Sequence, residues 1–406
     1  SRSTIWASKY NNNIKIETPP HKGCKDCEFR AQNDEPYKSG YHECLEQFTN
    51  LSREEIDRGT VLDIWRYRKK EELMDAGIFK ITDAKNYVDV KSSDEGLSVT
   101  ERQMLQIAGI PDEEDKGGFY FDANYFKSVN SQWAYPFHFI DFETCTVALP
   151  FFKGMRPYES IAFQFSHHVM HANGKVEHRN QVLIAEPGQF PNFDFIRELK
   201  KSLSTDAGTI FRWAAHENTI LNQIKEQLLS HTQVPADKAK LIKFIESITN
   251  DADRSMVDLN EIAVRCYFHP ETQGRTSIKK VLPAVLKTSK LLKDEYSKPI
   301  SNNLSSLNFP ETFVWFQEYN GNTIDPYELL KRYAIDLLSG TASNLSKENL
   351  LIAEGGAAAM AYARLQFEDI DTHERKNITD ALLRYCELDT LAMVMILRAW
   401  LDWCES

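Results

Sequence analysis

Phe137-His138-Phe139-Ile140-Asp141-Phe142-Glu143-Thr144 is the stretch on which the reading of this chain turns. Aromatic and branched residues give way to two acids with a single residue between them. In a β-strand, residues i and i+2 point to the same face, so both carboxylates leave one side of a strand otherwise built for burial. Two like charges so placed repel unless a cation sits between them. Hard divalent cations such as Mg²⁺ take oxygen ligands of this kind. The expectation is a metal site on a core strand. The plainer alternative is a strand end where two acids meet solvent.

A partner for these acids stands near the C-terminus. Residues Asp380 to Trp403 read as a helix, with apolar residues at spacings of three and four. Within it runs Tyr385-Cys386-Glu387-Leu388-Asp389-Thr390. Tyr385 and Asp389 are i and i+4 and share a face. An acid among core-facing residues is costly unless it is paired or metal-bound. A tyrosine one turn earlier could orient a water beside that metal. The alternative is an exposed Asp beside a packed Tyr.

An Asp-x-Glu strand followed far downstream by Tyr-x-x-x-Asp on a helix resembles the DEDD 3′–5′ exonucleases of the ribonuclease H-like fold, Tyr subtype. The first motif of that family maps to Asp141 and Glu143, the third to Tyr385 and Asp389. Its second motif carries an Asp just after a strand. The best match, Ile210-Phe211-Arg212-Trp213-Ala214-Ala215-His216-Glu217-Asn218-Thr219-Ile220-Leu221, offers Glu217 instead, one methylene longer.

Further segments resemble an uncharacterised bacterial domain family: Arg156 to Ser166, Met256 to Leu259, Thr276 to Pro283, Glu354 to Ala359 and Tyr385 to Val394. That resemblance is strongest over about residues 133–403. It implies a DEDD-type nuclease domain preceded by a cysteine-bearing region like the end of a RecB-type, iron–sulfur PD-(D/E)xK nuclease. The expected class is therefore α/β. A ribonuclease H-like exonuclease domain, a mixed sheet flanked by helices, would span 133–406. A smaller, mostly helical cysteine-containing region would span 1–130.

With 406 residues, 42% hydrophobic and 26% charged, the chain has ordinary globular composition and room for two domains. No apolar run approaches the length of a membrane span and no signal peptide opens it. It begins Ser1-Arg2-Ser3 without Met, which we read as a piece of a longer protein. Seven scattered cysteines do not form a secreted disulfide framework, so a reducing cytoplasm is expected. Net charge is −11, the wrong sign for a simple nucleic-acid-binding module. Local potential at a cleft matters more. The best local basic candidates are Lys279, Lys280 and Lys287, after Arg275. The bland reading of that cluster is a solvated helix face.

Along the chain, Ser52 to Ala76 reads as a charged helical stretch. Ser98 with Glu101 three residues on forms a capping box that opens a helix to Ile107. Strands are expected at Phe137–Phe142, Ala162–Val169, Val176–Ile184 and Thr209–Trp213, with helices at Phe193–Leu203, Glu217–Leu229 and Ser277–Leu286. Loops and short helices are expected over 301–350.

His21-Lys22-Gly23-Cys24-Lys25-Asp26-Cys27 followed by His42-Glu43-Cys44 has metal-ligand spacing. Cys24 and Cys27 could chelate one ion and Cys44 add a third thiolate. His21 or His42 would complete a zinc site; a fourth cysteine upstream would complete the iron–sulfur site that the RecB-type resemblance implies. Three free thiols are the alternative.

The exonuclease resemblance implies two Mg²⁺ or Mn²⁺ ions. Asp141 would bridge both, Glu143 and Asp389 would complete the first shell, and Glu217 would hold the second ion. Tyr385 would hydrogen-bond the attacking water or the phosphate. Lys279 and Lys280 would contact the substrate backbone. Phe142 could stack a terminal base. Asp258 reads as a structural hydrogen-bond acceptor rather than a ligand. The expected partner is nucleic acid, DNA or RNA, with no membrane. A second reading is a weakened nuclease fold that binds nucleic acid or protein without cutting. A kinase or nucleotidyl transferase is set aside, because Gly355-Gly356 followed by alanines lacks the Lys and spacing of a phosphate loop.

Overall fold

The computed structural model describes every residue except 1, 15, 17, 32–36, 231–234, 250–251, 301–303, 340–354 and 406. Glu354 of the resemblance segments, and part of the expected loop-and-helix stretch 301–350, thus lie outside the described residues.

By contact the chain divides into one unit of Ser1–Tyr120 with Phe268–Arg275 and a second of Phe121–Tyr267 with Thr276–Ser406. The division falls at Tyr120, earlier than the expected 130. The reason is Phe126, fully buried, whose ring packs edge-on against Trp133 and Trp400 of the second unit.

The first unit holds five α-helices: α1 (Arg2–Asn11), α2 (Gly40–Thr49), α3 (Arg53–Arg58), α4 (Lys70–Asp75) and α5 (Val99–Ala108). Its core gathers Tyr41, Leu45, Ile56, Val61, Leu62 and Leu73 with their neighbours. The capping box forms as expected: Ser98 Oγ accepts from Glu101 N (3.1 Å), and Ser98 N donates to Glu101 Oε2 (2.8 Å). The expected continuous helix over Ser52–Ala76 is instead two short ones. Gly59 at φ +118° ends α3, a conformation that side chains rarely adopt, and only a 3-10 turn at Val61–Asp63 intervenes before α4 begins at Lys70.

The second unit is built on a six-stranded mixed sheet. Its strands are β1 (Phe137–Thr146), β2 (Ser160–Met170), β3 (Val176–Leu183), β4 (Ile210–Arg212), β5 (Val257–Asp258) and β6 (Leu304–Ser305). Their order is β5-β4-β1-β2-β3-β6. β1–β2–β3 form an antiparallel meander; β4 and β5 add in parallel on one side and β6 on the other. Every residue of β2 is buried, as a central strand covered on both faces requires. Gly208, just before β4, tolerates no side chain: a Cβ there would stand 1.9 Å from Pro136 O.

Among the described residues ten helices complete the unit: α6 (Ala123–Asn130), α7 (Asn192–Leu203), α8 (His216–Ser230), α9 (Lys238–Ile248), α10 (Leu259–Cys266), α11 (Ile278–Thr288), α12 (Lys290–Tyr296), α13 (Pro326–Ser339), α14 (Gly355–Phe367) and α15 (Thr372–Glu405). Ile140 and Phe142 point into a core shared with α7, α8 and α9, through Phe195, Ile196, Leu221, Ile224 and Ile245. Helix α15, 34 residues long, takes the opposite face. Three alternate residues of β2 and its neighbours fix it there. Gln164 Nε2 donates to Leu382 O (2.7 Å), Ser166 Oγ meets Thr390 Oγ1 (2.8 Å), and His168 Nδ1 meets the same hydroxyl (2.7 Å). Among the described residues no helix is long and apolar enough to cross a membrane.

Candidate metal centre

Period-two alternation sends Ile140 and Phe142 to one core and Asp141 and Glu143 to the other face, beneath α15. The β1–β2 register slips between Glu143 and Thr144, because Glu143 opposes Gln164 while Thr144 opposes Ala162. Such irregularities re-aim side chains and often sit beside functional sites. The pairing of β1 with β4 covers only His138 and Phe139. That leaves the Phe142 N–H on this edge open, and Glu217 in the first turn of α8 accepts from it.

Four carboxylates gather here. Burial raises the pKa of Asp141 well above its ordinary value, and the charges of Asp389, Glu217 and Glu143 raise it further. Glu143 is raised well above its own by burial and Asp389, against the nearby Lys279 ammonium. Burial drives Glu217 up to about 8 despite the backbone N–H groups of Glu217 and Phe142. Burial lifts Asp389 to about 6 against hydrogen bonds from Tyr327 and Tyr385 and the charge of Lys279. The Tyr327 hydroxyl donates to Asp389 Oδ1 (2.5 Å). Lys279 Nζ lies 5.1 Å from the ring centre of Tyr385 and 5.4 Å from that of Tyr327. Burial also holds both phenols far above their ordinary pKa, so each is a neutral donor.

These residues suit a divalent cation. The donors are hard oxygens, and burial removes the water that would otherwise solvate them. Glu217 Oε2, on a side chain 1% exposed, has no hydrogen-bond partner. Asp141, Glu143 and Cys386 offer ligand atoms all within 4.8 Å of one another. Cys386 Sγ lies 3.6 Å from Asp141 Oδ2, and its thiol is held protonated by burial and by Asp141, so it acts as a weak donor beside the acids.

Residues 138–277 match the model of a domain of unknown function (DUF2779). No curated protein and no solved structure matches the chain. The matched segment carries Asp141, Glu143 and Glu217. It ends before Lys279, Tyr327, Tyr385 and Asp389, which come to the same site from α11, α13 and α15.

The other expected residues are placed as follows. Asp258 is a structural acceptor, as its sequence suggests: Oδ1 takes Ala214 N and Asn260 N, and Oδ2 pairs with Arg212 (2.8 Å). Phe142 is 3% exposed and packs edge-on against Phe195 (4.9 Å), which closes it to a base. The basic cluster divides. Lys279 stands among the acids, Lys280 and Lys287 are exposed on α11, and Arg275 falls in the first unit.

In the first unit, Cys24 and Cys27 lie half-buried against the core and Cys44 is exposed. Among the described residues, these three are not a group whose ligand atoms fall within 4.8 Å of one another. His21 Nδ1 accepts from Gly23 N (3.1 Å). Both ring nitrogens of His42 are engaged, by Ser39 Oγ (2.7 Å) and Asp57 Oδ1 (2.8 Å). Local bonding thus absorbs both candidate histidine ligands.

Sequence reasoning missed Tyr327. Its only signal is Asp325-Pro326-Tyr327 opening a helix, where Asp325 Oδ1 accepts from Tyr327 N (2.9 Å). Nothing in that pattern points to the distant Asp389.

Proposed function

We propose that the second unit hydrolyses phosphodiester bonds of DNA or RNA with two divalent metal ions, as a 3′–5′ exonuclease on a ribonuclease H-like framework. The observation that carries this reading is the gathering of Asp141, Glu143, Glu217 and Asp389. Asp389 and Glu217 push the pKa of Asp141 and Glu143 upward, and burial raises all four carboxylates, on three separate elements, against the charges of Lys279 and Arg212. A fold concentrates uncompensated charge in this way at functional sites, and metal coordination is its usual resolution.

Asp141, Glu143, Glu217 and Asp389 would hold the ions, Mg²⁺ or Mn²⁺. Such ions, when bound, supply a nucleophile near neutral pH and stabilise charge on the phosphate oxygens. Tyr327 and Tyr385 fix the Asp389 carboxylate by donating to it. Lys279, held over both rings, adds positive charge toward which a phosphate is drawn. Glu217 reaches the cluster from the start of α8, where its extra methylene replaces the shorter Asp arm.

The direct test is degradation of end-labelled single-stranded DNA and RNA with Mn²⁺ and with chelator. The expected outcome is metal-dependent shortening from the 3′ end. Asp141→Asn should lower the rate by about 1000-fold or more, since several kcal/mol of transition-state stabilisation pass through this site. Cutting by Asp141→Asn at the wild-type rate would overturn the assignment. Binding without cutting by the wild type would favour the weakened, binding-only form of the same fold.

A further inference from the structure

The run Trp65-Arg66-Tyr67-Arg68-Lys69-Lys70 puts four cations and two aromatic residues into six positions of the first unit. Arg66 to Lys70 line a cavity of about 1030 Å³ together with Lys25, Lys91 and Tyr87. Asp89 is the single carboxylate on the wall. In a chain of net charge −11, six cations against one acid reverse the general trend. Lys25, Arg66, Arg68, Lys69 and Lys91 are all exposed. Among the described residues only Lys69 has a carboxylate within ion-pair distance, Glu72 at 4.0 Å. Among the described residues Lys25, Arg66, Arg68 and Lys91 have no carboxylate within ion-pair distance.

Lys70 forms the floor. It is 8% exposed, and its ammonium donates to Leu62 O. Burial, and then the charge of Lys25, push its pKa down to about 8, with Asp63 and Asp26 only partly offsetting this. An anion in the groove would relieve that crowding. The aromatic wall is also prepared: Tyr67 Oη donates to Tyr87 O (3.2 Å), and the Tyr87 ring is 52% exposed. Arg66 is held at φ +51°, a region non-glycine residues seldom occupy, with its guanidinium 4.5 Å over the Trp65 ring.

We propose that this groove binds single-stranded nucleic acid, with its cations on the phosphates and its tyrosines stacked against bases. Interleaved cations and exposed aromatic rings are the combination that tracks a strand without reading its sequence. A free phosphate or small anion would leave the rings idle, and the cavity lies at the upper limit of small-ligand sites, roughly 1000 Å³. The proposal rests on the nuclease reading for its substrate class alone.

The test uses the full chain carrying Asp141→Asn, in chelator, so that no strand is cut. Binding of labelled DNA and RNA strands of about 16 nucleotides, the upper range for one binding module, is followed by anisotropy against salt. Replacing Arg66, Arg68 and Lys69 together by Ala should weaken binding more than tenfold. It should also lower the log–log salt slope by about 2, from about 0.7 per phosphate contact. Tyr87→Ala should weaken binding about tenfold with the slope unchanged. Unaltered thermal unfolding checks that these exposed positions leave the fold intact. An unchanged affinity or slope in the triple variant overturns the proposal. So does competition by inorganic polyphosphate or polyglutamate equal to that of the oligonucleotide, which would make the groove a site for anions or acidic protein. If the wild type binds through the groove yet never cuts with Mn²⁺, the groove stands and the nuclease reading fails. Normal cutting with groove variants that bind like wild type gives the converse.

Discussion

Half a turn apart on α15, Glu387 and Asp389 face two different surroundings. Glu387 Oε2 meets His178 Nδ1 (3.2 Å) and accepts from Asn308 Nδ2 (2.7 Å). Around it, Ser166, His168 and Thr390 join donor to acceptor. Burial keeps His168 neutral, and the one acid of this cluster is met by imidazoles, hydroxyls and an amide instead of by other acids. Asp389 instead meets Asp141 and Glu143, which Glu217 also approaches, acceptor upon acceptor. Both clusters hold three potential ligand atoms within 4.8 Å. In the histidine cluster the rings of His168 and His178 stack at 4.6 Å and 10°. Their lone pairs therefore run parallel instead of converging on a point. Proximity of ligand atoms thus does not separate a metal centre from a polar core; the sign of the electrostatic coupling and the direction of the lone pairs do.

The largest expected effect tests the acidic cluster alone. Glu217→Gln keeps size and hydrogen-bonding reach but removes a charge. It should lower metal-dependent cleavage about 100-fold or more, as loss of one ligand to a catalytic ion does. Glu217→Asp should retain more activity, since the charge survives. Equal rates for Glu217→Gln and wild type would remove Glu217 from the centre.

Next in size is the pH dependence of the metal-free protein. Asp389, lifted to about 6, and Glu217, lifted to about 8, both have folded pKa values above their unfolded ones. Their protonated forms favour the fold, so that stability is present at low pH and lost as pH rises through these values. In chelator, Tm should therefore fall between about pH 6 and 8. Saturating Mn²⁺ should reverse the trend, adding about 2.7 kcal/mol at a hundred times Kd. Asp141→Asn should flatten it and raise the metal-free Tm at pH 8 by about 3 °C, the equivalent of roughly 1 kcal/mol. A Tm insensitive to pH, metal and this substitution would mean that the acids are already compensated.

The difference between the two clusters was only half legible in the sequence. Alternation at Asp141 and Glu143, the spacing of Tyr385 and Asp389, and Glu217 just after a short strand are local patterns. The meander of β1 to β3 was likewise legible in its apolar runs and turn signals: the expected second, third and fourth strands lie within two residues of their observed positions, while β1 runs four residues past the expected Phe142 to Thr146. Tyr327 and Cys386 join the site only through tertiary packing, which no local period records. The histidine cluster was invisible for the same reason: His168, His178 and Glu387 come together because β2, β3 and α15 stack. The cysteines pose the opposite case. Their spacing suggests chelation, but local hydrogen bonds engage His21 and His42, and Cys44 stays exposed. The basic run at 65–70 escaped because it was read as part of one charged helix.

The smallest effect asks whether the two clusters are independent. Thr390 follows Asp389 directly, and its hydroxyl joins Ser166 and His168 while donating back to Glu387 O (3.0 Å). Thr390→Val preserves shape and deletes that hydroxyl, leaving Ser166 and His168 each short of a partner. The cost should be about 1–2 kcal/mol, the range for a buried polar group stripped of one bond. It should be nearly the same at pH 6 and pH 8, because no charge of the acidic cluster changes. Cleavage should stay within a few-fold of wild type. Combined with Asp141→Asn in a double-mutant cycle, the two stability effects should add to within about 0.5 kcal/mol, as separate sites do. A coupling well above that, or a loss of cleavage in Thr390→Val as deep as that in Glu217→Gln, would show that α15 carries one linked system, with the hydroxyl network positioning Asp389 for its metal.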